Sequence, residues 1–171
     1  MTPPFRLEAL AKDHDRSRFI SGNDPLDHYF RTQVTQDIRR RIANCFAAVE
    51  MASGLVAGYY TIAAASISIR DLPPEEAKHL PRYPTIAAVR MGRLAVDQHY
   101  QSRGLGKALL ADAALKAMNA APASFALLVD AKDDQATAFY EYYGFRQLVS
   151  LPRTLFLPLA TARKAPPLCQ S

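Results

Sequence analysis

At 171 residues the chain has the length of one domain and can bury a substantial core. Its 49% hydrophobic and 22% charged residues are ordinary for a globular protein and argue against intrinsic disorder. Lys and Arg (21) outnumber Asp and Glu (16), and the net charge of +5 is a mild bias toward polyanionic ligands such as phosphates or nucleic acid.

The N-terminal "MTPPFRLEAL" lacks the charged-then-apolar design of a signal peptide, and "FRLEAL" alternates like a first strand. In "SGNDPLDHYF" either Asn23 or Asp24 suits a helix cap and Pro25 suits the first turn. Leu26, Tyr29, Phe30, Val34 and Ile38 then keep helical spacing and predict one helix that ends near Arg39, Arg40 and Arg41. One of those three arginines must then point inward or sideways. "ANCFAAVEM", a turn at Ala52–Gly54 and "LVAGYYTIAAASISI" predict an antiparallel hairpin with Cys45 in the interior. That last apolar run, residues 55–69, holds polar residues and falls short of the ~18 that a membrane span needs. Residues 71–85 carry four prolines and read as a surface loop.

"IAAVRMGRLAV" then predicts a strand, "GLGKALLADAALKAMN" a helix, "SFALLVDA" an apolar strand and "DDQATAFYEYY" a helix closed by Gly144. "FRQLV" and "TLFLPL" are short strands. On the helix after residue 104, Leu105, Leu109, Ala113 and Ala117 form an apolar row, and Asp112 and Lys116 an exposed i,i+4 pair. The order predicts one mixed α/β domain over residues 1–160 and a mobile tail over 161–171. Cys45 and Cys169 have no metal-ligand spacing, so no metal is expected, and they read as reduced thiols of a soluble, cytoplasmic protein.

The most informative stretch is "RLAVDQHYQSRGLGKALL" (93–110). A helix N-terminus offers unpaired N–H groups and a partial positive charge, which suit a phosphate. Gly104 and Gly106 permit close approach, and Arg103 and Lys107 add cationic donors. A plain tight turn explains two glycines equally well. The spacing fits neither the Walker loop nor the dinucleotide fingerprint.

Gln101-x-x-Gly104-x-Gly106 after "RLAV" resembles the acetyl-CoA loop of the GCN5-related N-acetyltransferase (GNAT) superfamily. "VDAKDDQATAFYEYYGF" resembles the second half of that signature. The resemblance implies a twisted mixed sheet with helices on both faces, splayed between "RLAV" and "FALLVD", with acetyl-CoA in the gap. By it, backbone at Leu94, Ala95 and Val96 would hold the pantetheine arm. Gln101, Ser102, Arg103, Gly104, Leu105, Gly106, Lys107 and Ala108 would hold the pyrophosphate. Asp133 would touch the cofactor too, although many relatives carry Asn there. Nearly the whole chain is similar to the TacT- and AtaT-like toxins of type II toxin–antitoxin systems. Those enzymes acetylate the α-amino group of aminoacyl-tRNA and stop translation. The similarity implies a ribbon-helix-helix antitoxin as partner and a homodimer. An acetyltransferase of a small-molecule or protein amine, without a toxin role, is the alternative.

Acetyl transfer needs a neutral amine, an oxyanion donor and an acid for the leaving thiolate. Tyr140 suits the acid, since a phenol of pKa ~10 is protonated at neutral pH; otherwise it is a packing aromatic beside Phe139. A backbone N–H on the "RLAV" strand suits the oxyanion. "VRMGRLAV" holds no carboxylate, so a dedicated base is missing, with Glu50, His79, His99 and Asp130 left as candidates. Arg39, Arg40, Arg41, Arg90 and Arg93, with Lys78 and Arg82, are candidates for tRNA phosphates, or else a solvated face.

Overall fold

The structure, a computed structural model, describes residues 4–162. Its strands are β1 (Phe5–Ala9), β2 (Asn44–Glu50), β3 (Val56–Ser68), β4 (Thr85–Val96), β5 (Ala126–Asp130), β6 (Arg146–Gln147) and β7 (Thr154–Pro158). The helices are α1 (Asp24–Thr32), α2 (Val34–Arg39), α3 (Pro74–Ala77), α4 (Leu105–Asn119), α5 (Asp134–Tyr142) and α6 (Leu159–Ala162). The strands form a seven-stranded mixed sheet in the order β1-β2-β3-β4-β5-β7-β6. No helix among the described residues is long and apolar enough to cross a membrane.

The chain divides into two compact units. The first takes residues up to Ala63 together with Gly92–Ala113. Its β1, β2 and the first part of β3 are antiparallel, from Phe5↔Glu50 and Asn44↔Ile62. Alternation in "FRLEA" and "NCFAAVE" puts Cys45 and Ala47 inside, against Tyr59, Phe19, Phe30 and Val34. Phe30 stacks on Tyr59 at 4.1 Å, and Phe19 meets both rings edge-on at 4.9 and 5.5 Å. The Tyr59 hydroxyl, buried among them, donates to Leu26 C=O at 2.7 Å.

The single helix expected over 24–38 breaks at Gln33, whose φ of −120° leaves the helical region, and becomes α1 and α2. Asn23 is the cap, accepting from Leu26 N–H at 3.1 Å. All three arginines that follow are exposed, so of the two expected alternatives, inward or sideways, none turns inward. The helix has already ended: Arg40 is the cap and Arg41 adopts φ +59°, so neither lies on a helical face.

The second unit takes Ala64–Met91 and the residues from Ala114 on. Here β4 pairs with β5 in parallel, from Ala88↔Ala126 to Met91↔Val129, and β4 continues past that register to Val96. β5 is antiparallel to β7 on its other side. Its unbroken "ALLV" is buried, as a central strand covered on both faces requires. Leu128, Phe156, Ile67, Leu72 and Leu148 form the core.

Three expectations need correcting. Residues 71–85 are not all loop: Pro74 opens the short helix α3, with Glu75 and Glu76 in its first turn. Asp112 and Lys116 are half-buried rather than exposed, and Asp112 accepts the Tyr60 hydroxyl. Thr161 and Ala162, assigned to a mobile tail, finish α6, and Ala162 is buried. The rest of that tail, with Cys169, lies outside the described residues.

Candidate active site

Within the first unit, β4 ends at Val96 and leads into a 3-10 turn, Gln98–Tyr100. Asp97 caps that turn and is only 5% exposed. Its carboxylate accepts the Ile20 N–H (3.0 Å) and the His99 N–H (2.9 Å), and lies 2.8 Å from His99 Nδ1. Gln98 N–H also donates to Ile20 C=O at 2.8 Å. The Gln101 amide donates to the carbonyls of Ser21 (2.8 Å) and Val96 (3.0 Å). The Gln101 side chain, expected at the pyrophosphate, is therefore turned into the protein as a brace.

Beyond the brace the backbone turns left-handed twice, at Ser102 (φ +67°) and Gly104 (φ +78°). The first helical bond of α4 then runs from Ala108 N–H to Gly104 C=O (3.1 Å). The amides of Leu105, Gly106 and Lys107 precede it and have no acceptor within the helix. A Cβ on Gly104 would meet nothing within 4 Å, so the space beside these amides is open. Arg103, exposed, lies over the Tyr100 ring at 5.4 Å. Leu105 and Leu109 are buried and anchor the helix. Open amides at the positive end of a helix with Lys107 beside them fit a pyrophosphate.

Gly58, on β3, matters for a different reason. A Cβ there would lie 2.9 Å from Leu109 Cδ1 and 3.0 Å from Ala95 O, so only glycine lets β3 pass this close.

Within the second unit, Asp133 is the N-cap of α5, its carboxylate accepting Ala136 N–H at 2.8 Å. The side chain expected at the cofactor is thus engaged by its own helix, as Asn would be in the same place. Tyr140 follows on that helix, 7% exposed, tilted against Phe145 at 5.5 Å and edge-on to Phe139 at 5.3 Å. Burial, and secondarily the Asp130 charge, push its phenol up to about 12. Among the described residues nothing takes the Tyr140 hydroxyl in a hydrogen bond, yet it is not a fully enclosed orphan. The ring is packed and the O–H is available.

The candidate bases are mostly occupied. Asp130 pairs with Arg90 and accepts the Thr154 hydroxyl at 2.8 Å. Glu50 accepts from Ser53 (2.6 Å) and Tyr100 (3.2 Å), and His99 is held by Asp97. His79 is exposed. No carboxylate occurs on β4. The cationic candidates divide as well. Arg90 is committed to Asp130, and Arg93 lies 3.5 Å over the Tyr29 ring. Arg39, Arg40, Arg41, Lys78 and Arg82 are exposed. No metal-holding group of His, Cys, Asp or Glu occurs among the described residues.

Asp97, and the loop Phe19–Ser21 that it grips, are missing from the sequence reading. Nothing in the local spacing marks a contact between residues so far apart.

Residues 82–154 match the family described as the acetyltransferase (GNAT) domain. A tRNA-acetylating toxin of Mycobacterium tuberculosis is 34% identical over 151 residues, covering 87% of this chain and 89% of that one. The chain belongs to the tRNA-acetylating toxins, a family of GNAT acetyltransferases. Its fold agrees with that of AtaT complexed with acetyl-methionyl-tRNAfMet, at a TM-score of 0.86 and 28% identity, over 94% of this chain and 98% of that one. AtaTR bound with acetyl-CoA gives 0.80 and 28%, over 94% and 97%. As a member of this family the chain is an N-acetyltransferase with acetyl-CoA as co-substrate.

Proposed function

We propose that this chain transfers the acetyl group of acetyl-CoA to the α-amino group of an aminoacyl-tRNA and so halts translation. The observation that carries the choice of amine is the missing base. With β4 free of carboxylates, Asp130, Glu50 and His99 already hydrogen-bonded and His79 exposed, the described residues offer no base built for the amine, and an amine that arrives partly neutral fits best. At pH 7 an α-amine of pKa ~8 is about 10% neutral, whereas a lysine amine is only about 0.04% neutral. The Mycobacterium tuberculosis relative is a tRNA-acetylating toxin and AtaT is complexed with acetyl-methionyl-tRNAfMet, which supports the same choice.

In this reading the amides of Leu105–Lys107, with Arg103 and Lys107, hold the pyrophosphate, and backbone of Leu94–Val96 aligns the pantetheine arm. The amine nitrogen bonds to the thioester carbon, and a β4 backbone N–H receives the developing oxyanion. As the oxyanion re-forms the carbonyl and the C–S bond breaks, Tyr140 gives its proton to the sulfur; the amine nitrogen sheds one proton to solvent, and solvent returns one to Tyr140. A homodimer and a small ribbon-helix-helix antitoxin complete the proposal.

The test compares one enzyme preparation on charged tRNA, the same tRNA deacylated, a polyamine and a lysine peptide. Acetylation of charged tRNA alone is expected, together with growth arrest on expression. Turnover of the polyamine or peptide, with charged tRNA inert, would replace this reading with a non-toxic acetyltransferase.

A further inference from the structure

In the second unit, residues 68–70 at the end of β3 and residues 82–85 leading into β4 wall a groove of about 610 Å³. A hydrogen bond from Ile69 N–H to Pro84 C=O (3.1 Å) clips the two walls together. Ile69 and Ile86 pack on the core beneath, so the groove has a firm floor. Tyr83 stands on its rim, 66% exposed, between Arg82 and Pro84. Arg70 is the second guanidinium of the lining, and no carboxylate contributes to it. Asp71, the nearest acid in sequence, accepts the Ser150 hydroxyl.

The other described arginines of this unit are committed. Arg90 pairs with Asp130, Arg146 with Glu75 and Glu76, and Arg153 with Asp134. Among the described residues Arg70 and Arg82 have no such partner. Two unpaired guanidiniums beside an open aromatic face, with no acid between them, match a ligand that alternates phosphates with flat bases. An acidic peptide would use the guanidiniums and leave the ring idle.

We infer that this groove binds a single-stranded stretch of the tRNA substrate, stacking one base on Tyr83 while Arg70 and Arg82 take the flanking phosphates. The inference rests on the reading that charged tRNA is the substrate. It adds Tyr83 and Arg70 to the residues that set tRNA affinity, and gives Arg82 a partner.

The test measures Kd and KM for charged tRNA, acetyl-CoA affinity and the thermal melt for Tyr83→Ala, Tyr83→Phe and the double variant Arg70→Glu, Arg82→Glu. Loss of one stacked base raises Kd about 5- to 100-fold, so Tyr83→Ala should show that rise in Kd and KM with kcat, acetyl-CoA affinity and melt unchanged. Tyr83→Phe keeps the ring and should bind as the unaltered protein does. The double variant should bind more weakly still and with a shallower salt dependence. Equal Kd for Tyr83→Ala and the unaltered protein overturns the inference. If the unaltered enzyme does not acetylate charged tRNA, the functional reading fails separately. The groove is then judged on an unpaired oligoribonucleotide: binding that Tyr83→Ala weakens upholds it, and binding of a glutamate-rich peptide instead overturns it.

Discussion

Tyr140 carries the sharpest consequences of any one residue. Tyr140→Phe removes one hydroxyl and keeps the contacts with Phe139 and Phe145, so the melt and acetyl-CoA affinity should hold. General-acid catalysis of this kind is worth ~10²–10⁴-fold, and kcat on charged tRNA should fall by that order. A fall of less than about threefold would return Tyr140 to a packing role. The pH profile follows from the same burial. The phenol is raised above its unfolded value, so its proton is fully held below pH ~10 and lost only as pH climbs through about 12. Below pH 10 the acid is therefore constant, and kcat/KM should rise as the α-ammonium loses its proton and flatten above pH ~8. A falling limb centred between pH 8 and 10, absent in Tyr140→Phe, would show that burial does not hold the phenol neutral.

The elements that matter most are the β4–α4 loop and the strand crossing behind it. Gly104→Val places a β-branched residue at φ +78°, a conformation costing roughly 1–2 kcal/mol, and fills the open space beside the α4 amides. Gly54→Val is the matched control: φ +74°, open space, and no part in the loop. Both variants should lose similar stability, but only Gly104→Val should lose acetyl-CoA affinity by calorimetric titration. Equal affinity in the two would reduce the loop to a tight turn. Gly58→Ala tests the crossing. Leu109 can rotate away from a new methyl, whereas the Ala95 carbonyl cannot. Overpacking of this kind costs about 1–3 kcal/mol, so the melting temperature should fall by roughly 5 °C. Because Ala95 lies on β4, acetyl-CoA should also bind less tightly. An unchanged melt would mean that β3 has room to move.

At the scale of the whole molecule the net charge of +5 and the exposed arginines decide how a polyanion is met. Each phosphate neutralised releases counterions, so tRNA affinity should fall linearly in log Kd against log salt. Arg39→Glu with Arg40→Glu should weaken tRNA binding and flatten that slope while leaving acetyl-CoA affinity intact. A flat salt response in the unaltered protein would point to a small uncharged or cationic substrate. Arg90 and Arg93 carry no such expectation, since Asp130 and Tyr29 already hold them.

Local physics was enough to read most of this from the chain alone. Apolar periodicity marks the strands and helices, "SGNDP" narrows the cap to Asn23 or Asp24, and two glycines before an Ala/Leu-rich run mark a turn into a helix N-terminus. The family signature adds Tyr140 at its place on α5. What the tertiary structure decided are the partners, because a side chain is assigned its contacts by packing across tens of residues of sequence. Gln101 became a brace only where the chain returns Ser21 to its side, and Asp97 found Ile20 in the same way. The charges of Arg90 and Arg93 were visible in sequence, but the carboxylate and ring that occupy them were not. Helix continuity through Gln33 also failed: the Gln33 φ of −120° leaves the helical region, and nothing in the apolar spacing marks that residue. Spacing along a chain records local preference; only the folded chain shows which polar groups remain free to do chemistry.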